Sequence, residues 1–398
     1  MHEGTETQPA HFDLTNARIA YRWASSRELQ RAAMIYRLMS WRWATRWGSK
    51  ILAWSVQHGL PGISLVRGSL FRQFFAGETL SECQQLGDKL APFGVGAVFN
   101  YAVEGAGDEA SFYASYQEIL ATIPIAALHK PGFAVFKMSA LCSPELLTKL
   151  SAQRSLTRQE EHALSLLRTR IDHLAHECSH HEISLLIDAE ESWGQAAIDT
   201  LSLELAAKYN AQRAVVYLTL QMYRHDRLAY LQQLSQESRE KGYFLGIKLV
   251  RGAYLELENL RASTQGLPSP LYQSKGETDQ AYNQAITFSV EQDGQIALFL
   301  GTHNLASSQL LAELLSRQQD KSRIPAAFAQ LLGMCDFLSF NLAKYGFRSY
   351  KYIPYGPIRQ AIPYLLRRAE ENTALESQVP FELQLLKQEL KQRKEKSS

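Results

Sequence analysis

Residues 183–221 read ISLLIDAEESWGQAAIDTLSLELAAKYNAQRAVVYLTLQ. The runs 183–188 and 214–221 are rich in Ile, Leu and Val and lack strict polar alternation, as expected of strands buried on both faces. Between them, 192–209 reads as a helix. Together they form one strand–helix–strand unit. Working outward, the same kind of apolar run recurs at 96–103, 133–140, 244–250, 296–300, 328–332 and 350–354. Helix-like segments at 144–180, 224–241, 277–292 and 305–318 lie between them. Eight such units in about 280 residues predict an α/β fold, a (β/α)8 barrel of the TIM type. The alternative, an open doubly wound sheet, usually carries a G-x-G-x-x-G turn after its first strand, and this sequence has none.

The chain has 398 residues, 45% apolar and 21% charged, enough to bury a large core. Lys and Arg total 42 against 40 Asp and Glu, a net charge of +2. That balance argues against a protein whose main work is coating nucleic acid. No apolar stretch is long enough for a spanning helix. The start lacks a secretory pattern, and Glu3, Glu6 and Asp13 argue against a transit peptide. Cys83, Cys142, Cys178 and Cys335 lie far apart, so a reducing, cytoplasm-like compartment is expected and no zinc ribbon is indicated.

The balanced charge hides an asymmetry. Between Asp13 and Glu78 the only acid is Glu28, among ten basic residues and five of the six tryptophans. Ile35, Leu38, Met39, Trp43 and Trp47 recur mostly at helical spacing. Residues 1–90 are therefore read as a basic, Trp-rich helical arm. It either packs its apolar face on the main domain with Arg in solvent, or meets an anionic membrane surface. The catalytic barrel is placed at 91–372. A charged C-terminal helix or tail follows at 373–398, with Leu383, Leu386 and Leu390 on one face.

In a barrel of this type, functional side chains sit at or beyond the C-terminal ends of the strands. The polar residues there are Glu104, Lys137, Asp188, Gln221, Lys248 with Arg251, the Thr302-His303-Asn304 group, Tyr352, and further on Arg367 and Arg368. Cations that converge on one mouth imply an anionic ligand. Asp188, at a buried strand end, needs a partner, for which Lys137 and the arginines are available. Glu190 and Glu191 suit the N-cap and first turn of the next helix. Gly252 and Ala253, after Lys248-Leu249-Val250-Arg251, would let a planar ligand approach the backbone. His176-Glu177-Cys178-Ser179-His180 matches H-E-x-x-H, but it feeds the N-terminal end of a strand, opposite the mouth, so no metal site is assigned.

FRQFFAGET (71–79), FKMSAL (136–141), IDAEESW (187–193), LQMYRHD (220–226), KLVRGAYLE (248–256), GTHN (301–304) and YKYIPYGPIRQAIPYLLRRAEEN (350–372) make the chain resemble proline dehydrogenase of the monofunctional type. The resemblance implies a distorted (β/α)8 barrel with FAD at its mouth and oxidation of L-proline to 1-pyrroline-5-carboxylate. Hydride would pass from proline C5 to flavin N5, and electrons then to a membrane quinone. Carried over by motif, Lys137, Arg367 and Arg368 would bind the proline carboxylate, and Asp188 would organise those cations. Tyr352 would pack on the ring, Leu332 would form an apolar wall and Glu371 would close the ion-pair layer. Gln221 and Lys248 would touch the isoalloxazine. Val250, Arg251, Gly252, Ala253, Tyr254, Thr278, Thr302, His303 and Asn304 would line the rest of FAD. A tyrosine at 352 goes with proline rather than hydroxyproline. The implied setting is the cytoplasm, at the inner face of a membrane, or the matrix side in a mitochondrion. The competing readings are a hydroxyproline or related imino-acid dehydrogenase and a non-enzymatic scaffold binding membrane or nucleic acid.

Overall fold

The computed structural model describes residues 12–39, 72–103, 107–129, 131–318, 324–357 and 378–397. Its strands are β1 (Val95–Tyr101), β2 (Phe133–Lys137), β3 (Ser184–Asp188), β4 (Val216–Gln221), β5 (Leu245–Val250), β6 (Ile296–Gly301), β7 (Ala326–Leu331) and β8 (Ser349–Tyr355). They pair in parallel and in chain order, and β8 pairs with β1 to close the barrel. The helices are α1 (Ala17–Tyr21), α2 (Ser26–Met39), α3 (Leu80–Leu90), α4 (Glu109–Ala126), α5 (Pro144–Ser151), α6 (Arg158–His180) and α7 (Ser192–Tyr209). They continue with α8 (Arg227–Lys241), α9 (Leu255–Gln265), α10 (Lys275–Glu291), α11 (Leu305–Ser316), α12 (Asp336–Lys344) and α13 (Gln378–Ser397).

Two expected elements differ. The run 133–140 stops being a strand at Lys137, where the tight turn Met138–Ala140 begins. The segment 144–180 is two helices. Thr157 opens the second with a capping box: its side chain accepts from Glu160 N, and Glu160 accepts from Thr157 N. That reciprocal pair satisfies two amide donors and defines a start inside an otherwise helical pattern.

Side-chain alternation along the strands divides the barrel into an outer and an inner set. Ile187, Leu218, Ile247, Leu249, Leu298 and Phe328 face the helices and are fully buried. The inner set includes Phe133, Tyr217, Phe299 and Tyr350, which meet edge to face around Phe133, with ring centroids 4.8, 5.1 and 5.9 Å from it. Gly96 and Gly246 make room for these rings. A Cβ on Gly96 would lie 2.5 Å from Tyr350, and one on Gly246 would lie 2.8 Å from Tyr217. The N-terminal half of the barrel is thus an apolar plug, and the polar inner residues are left at the C-terminal end.

The chain ends pack on one flank. In the arm, residues 17–39 are docked: Tyr21, Leu29, Ile35 and Tyr36 are buried, while Arg18, Arg22, Arg27 and Arg37 face solvent. Trp23 stacks on Phe340 at 5.6 Å and donates its Nε1–H to Asp336 at 3.3 Å. Trp41, Trp43, Trp47 and Trp54 lie outside the described residues. Helix α13 packs along α2, with Leu385 and Leu386 buried and Leu383 and Leu390 partly so. Among the described residues no helix is long and apolar enough to cross a membrane.

Glu382 of α13 is buried against the loop after β7. It accepts from Cys335 N at 2.7 Å, and its Oε2 lies 2.8 Å from the Tyr36 hydroxyl. The same hydroxyl also lies 2.7 Å from Gly333 O, the alternative acceptor for its single proton. Lys351, Asp336, Tyr21 and Cys335 surround the cluster. Burial raises the Glu382 carboxyl to about 7, against the pull of the Cys335 and Tyr36 donors. The folded chain therefore binds this proton more tightly than the unfolded one, and stability falls as pH rises from about 4.5 to about 7. Denaturant unfolding across that window should show Glu382→Gln lacking on the order of 2–4 kcal/mol of the wild-type decline. Identical slopes in the two proteins would contradict the assignment.

Candidate active site

Five inner-facing residues converge above the plug. Lys137 ends β2 in register with Asp188, which ends β3. Gln221 ends β4, and Lys248 rises from β5 two residues before that strand's end. Tyr352 stands on β8 beside Leu331 of β7. The Lys248 ammonium is 2.5 Å from Asp188 Oδ1 and 3.3 Å from the Tyr352 hydroxyl. Tyr352 in turn donates to Asp188 Oδ2 at 2.7 Å. The ammonium also lies over the Tyr352 ring, 4.4 Å from its centroid. Each charge in this closed triad has its counterpart within hydrogen-bonding reach, which is what makes burial of Lys248 tolerable. Among the described residues Asp188 pairs with Lys248 and Tyr352, and the arginines expected beside it lie outside the described residues.

Lys137 approaches a different group. Its ammonium is 3.3 Å from the Tyr254 hydroxyl, on the loop after β5. The sequence reading gave Glu190 and Glu191 to the N-cap and first turn of α7; Glu191 takes the N-cap position, and Glu190 does not serve that helix with its side chain. Glu191 occupies the N-cap with no side-chain hydrogen bond, and Ser192 N–H is instead bound by Glu258 of α9 at 2.6 Å. Glu190 points inward and accepts from Ser139 N at 2.9 Å and from the Ser139 hydroxyl. Its own N–H donates to Gln195, and its carbonyl accepts from Gln221 Nε2 at 2.7 Å. Burial raises its carboxyl to about 7, against the attraction of Lys137 and the Ser139 donors.

A second group follows β5 and β6. Arg251 donates to Asp279 at 2.6 Å, to the Thr302 hydroxyl at 2.6 Å and to Ser307 at 3.0 Å, and lies over the Tyr282 ring. It is therefore a held, neutralised cation rather than one converging with the others. Burial alone would raise the Asp279 carboxyl, but Lys275 and Arg251 bring it below its ordinary value. Asn304 caps α11 by accepting from Ser307 N, and its own N–H donates to Thr302 Oγ1. His303 Nε2 accepts from Leu331 N at 3.1 Å, which assigns the ring proton to Nδ1. Gln221 Oε1 accepts from Ala253 N, so the loop 251–253 is tied to the first group. Val250 is in register with Gln221, Leu332 is buried beside Tyr352, and Thr278 bonds back to Ser274 in its own helix. Gly252 has φ +138°, a conformation that favours glycine.

Arg367, Arg368, Glu371 and Glu104 lie outside the described residues. Among the described residues no cluster of His, Cys, Asp and Glu could hold a metal ion, and His176 of the H-E-x-x-H run is largely exposed. Asp279, Ser139, Ser307, Glu258 and the inward turn of Glu190 escaped the sequence reading. Each acts on a residue far away in the chain, and only the DAEE run signalled that one of its acids had a second use.

A closed parallel barrel with an apolar floor and a charged layer at its strand ends is an enzyme of the (β/α)8 class. The family described as "Proline dehydrogenase" matches residues 83–380. The chain is 35% identical over 321 residues to the carbapenem antibiotics biosynthesis protein CarD of Pectobacterium carotovorum, covering 80% of this chain and 83% of that one. It is 32% identical over 390 residues to the mitochondrial proline dehydrogenase 1 of Arabidopsis thaliana, covering 87% and 78%. Among solved structures, proline utilization A of Bdellovibrio bacteriovorus superposes with a TM-score of 0.68 at 19% identity, over 79% of this chain and 34% of that protein. That likeness supports the barrel fold. The chain belongs to the proline dehydrogenase family, a family of FAD oxidoreductases.

The donor set fits such a cofactor. A fixed guanidinium and the capped N-terminus of α11 suit a diphosphate, and the Gln221 amide and Lys248 ammonium suit the polar edge of a flavin. Asp188→Ala should lower unfolding stability by about 3 kcal/mol, because it leaves a buried ammonium unpaired. Adding Lys248→Met should restore most of that loss. Additive losses in the double mutant would contradict the triad.

Proposed function

We propose that this protein oxidises L-proline to 1-pyrroline-5-carboxylate as the first step of proline catabolism, with FAD as its resident cofactor. The observation that carries this reading is the triad of Asp188, Lys248 and Tyr352 above an apolar floor, in a chain of this family. The chemistry a bound FAD would supply is a hydride acceptor for proline C5 and a route for the electrons to a quinone. Val250, Arg251, Gly252, Ala253, Tyr254, Thr278, Thr302, His303 and Asn304 would hold the cofactor, with Gln221 and Lys248 at the ring.

The protein's own residues bind and orient. Lys137, Arg367 and Arg368 take the proline carboxylate, and Glu371 completes their ion-pair layer. Tyr352 is held upright by its bond to Asp188, so its ring forms one wall of the site and Leu332 another. A ring hydroxyl on the substrate would press on that tyrosine, which favours proline over hydroxyproline. Asp188 holds Lys248 in place, so the ammonium can stabilise negative charge that develops nearby. No nucleophile is required, and orientation supplies much of the rate.

Transfer to a quinone requires contact with a bilayer. The solvent-facing Arg18, Arg22, Arg27 and Arg37 keep the outer side of the arm basic, which supports peripheral attachment to the inner face of a membrane, the matrix side in a mitochondrion. The arm at 1–90 and the C-terminal segment at 373–398 then flank the catalytic barrel of 91–372.

The test is an assay for 1-pyrroline-5-carboxylate with a soluble dye as acceptor, comparing proline with hydroxyproline. Proline should be strongly preferred, and equal rates would contradict the role of Tyr352. In the same assay Arg368→Met should lower kcat/KM by about 30-fold or more, mainly through KM. An unchanged KM would remove Arg368 from the carboxylate site.

A further inference from the structure

The turn that follows β7 is held from outside by both ends of the chain. Gly333 and Cys335 have left-handed backbone, with φ of +73° and +51°. Cysteine seldom adopts that conformation, and a strained turn persists only where its surroundings fix it. Four side chains from four separate elements do so. Tyr36 of α2 places its hydroxyl 2.7 Å from Gly333 O, and Gln73 of the helical turn Arg72–Phe74 donates to the same carbonyl at 3.3 Å. Lys351 of β8 donates to Met334 O at 2.6 Å, and Glu382 of α13 accepts from Cys335 N at 2.7 Å. Glu382 and the Tyr36 hydroxyl are themselves 2.8 Å apart, so α2 and α13 grip the turn as one unit. Packing is as close as the bonding: a Cβ on Gly333 would collide with the backbone of Gln73. What the turn holds is the end of β7. Leu331 is in register with Tyr352, and Leu332 N–H donates to Tyr352 O at 2.9 Å. The half-buried Leu331 side chain packs on the inner aromatic cluster and also on Ile35, Phe74 and Met334. Its N–H donates to His303 Nε2 at 3.1 Å.

We propose that Tyr36 and Glu382 are positioning residues: through the 333–335 turn they set Leu331, beside Tyr352, against the substrate ring, so that both chain ends complete the active site. The inference rests on the reading of the mouth as the proline site. Both residues act through the backbone of the turn. Loss of either grip lets the turn relax from its left-handed conformation, and the apolar wall at the end of β7 recedes. Such a wall touches the ring alike in the ground state and in the transition state, so its loss falls on KM and spares kcat.

The experiment is steady-state proline oxidation by the full-length holoenzyme with a soluble dye as acceptor, in wild type and three variants. Tyr36→Phe removes the hydroxyl at Gly333 O and little else. Glu382→Leu removes the acceptor for Cys335 N, and Glu382→Gln keeps it. Tyr36→Phe and Glu382→Leu should each raise proline KM about fivefold to tenfold while kcat stays within about twofold of wild type. Glu382→Gln should return KM to near the wild-type value. A merely structural role would reduce the amount of folded enzyme, which lowers apparent kcat and leaves KM alone. That pattern overturns the proposal, and so does a KM in Glu382→Gln as high as in Glu382→Leu. Should Glu382→Leu fail to fold, Tyr36→Phe decides, and an unchanged KM there overturns the proposal alone. A wild-type holoenzyme that does not oxidise proline overturns the proline-site reading and this inference with it.

Discussion

The structure turns on one buried ion pair, the Lys248 ammonium against the Asp188 carboxylate, with the Tyr352 hydroxyl bridging them. An ammonium near a barrel axis is expensive to bury, and only a counter-charge fixed on another strand makes it tolerable. The partners come from β3, β5 and β8. They meet only because the sheet closes and because strand alternation turns all three inward. The aromatic plug beneath them, seated over Gly96 and Gly246, blocks the N-terminal half of the barrel and keeps the polar layer at the mouth. Fold, floor and site are in this sense one arrangement.

Much of the barrel was legible in the sequence, since a strand buried on both faces leaves an unmistakable apolar run. The bounds of α7, 192–209, agree with the expectation, and β3 to β6 begin and end within two residues of theirs. The misjudged elements were those decided by local hydrogen bonds. The capping box at Thr157 divides a continuous helical pattern, and the turn after Lys137 ends a strand while the sequence remains apolar. Packing of the arm and of α13 was left open because an amphipathic face says that something covers it, without saying what. Here each covers the other, and Trp23 fits against Phe340.

The site was legible as a set of residues rather than as a set of pairs. Lys137, Asp188, Gln221, Lys248 and Tyr352 were expected at strand ends, and the structure joins Asp188, Lys248 and Tyr352 in one triad while Lys137 reaches Tyr254 and Gln221 reaches Ala253 N. Their partners were not foreseen, because side-chain reach is a three-dimensional property. Lys248 reaches past β4 to Asp188, Arg251 is neutralised by Asp279, and Glu190 leaves its neighbouring helix to a cap supplied by Glu258. Sequence spacing predicts local caps well, and it fails where a distant carboxylate satisfies the same amide.

The central claim is that this mouth seats proline against a bound flavin. Anaerobic addition of L-proline to the purified protein, followed through its visible absorption, tests that claim most directly. A yellow protein whose flavin band is lost stoichiometrically with proline is the predicted result. A colourless protein that takes up no FAD, or a flavin band that proline leaves untouched, would contradict the account.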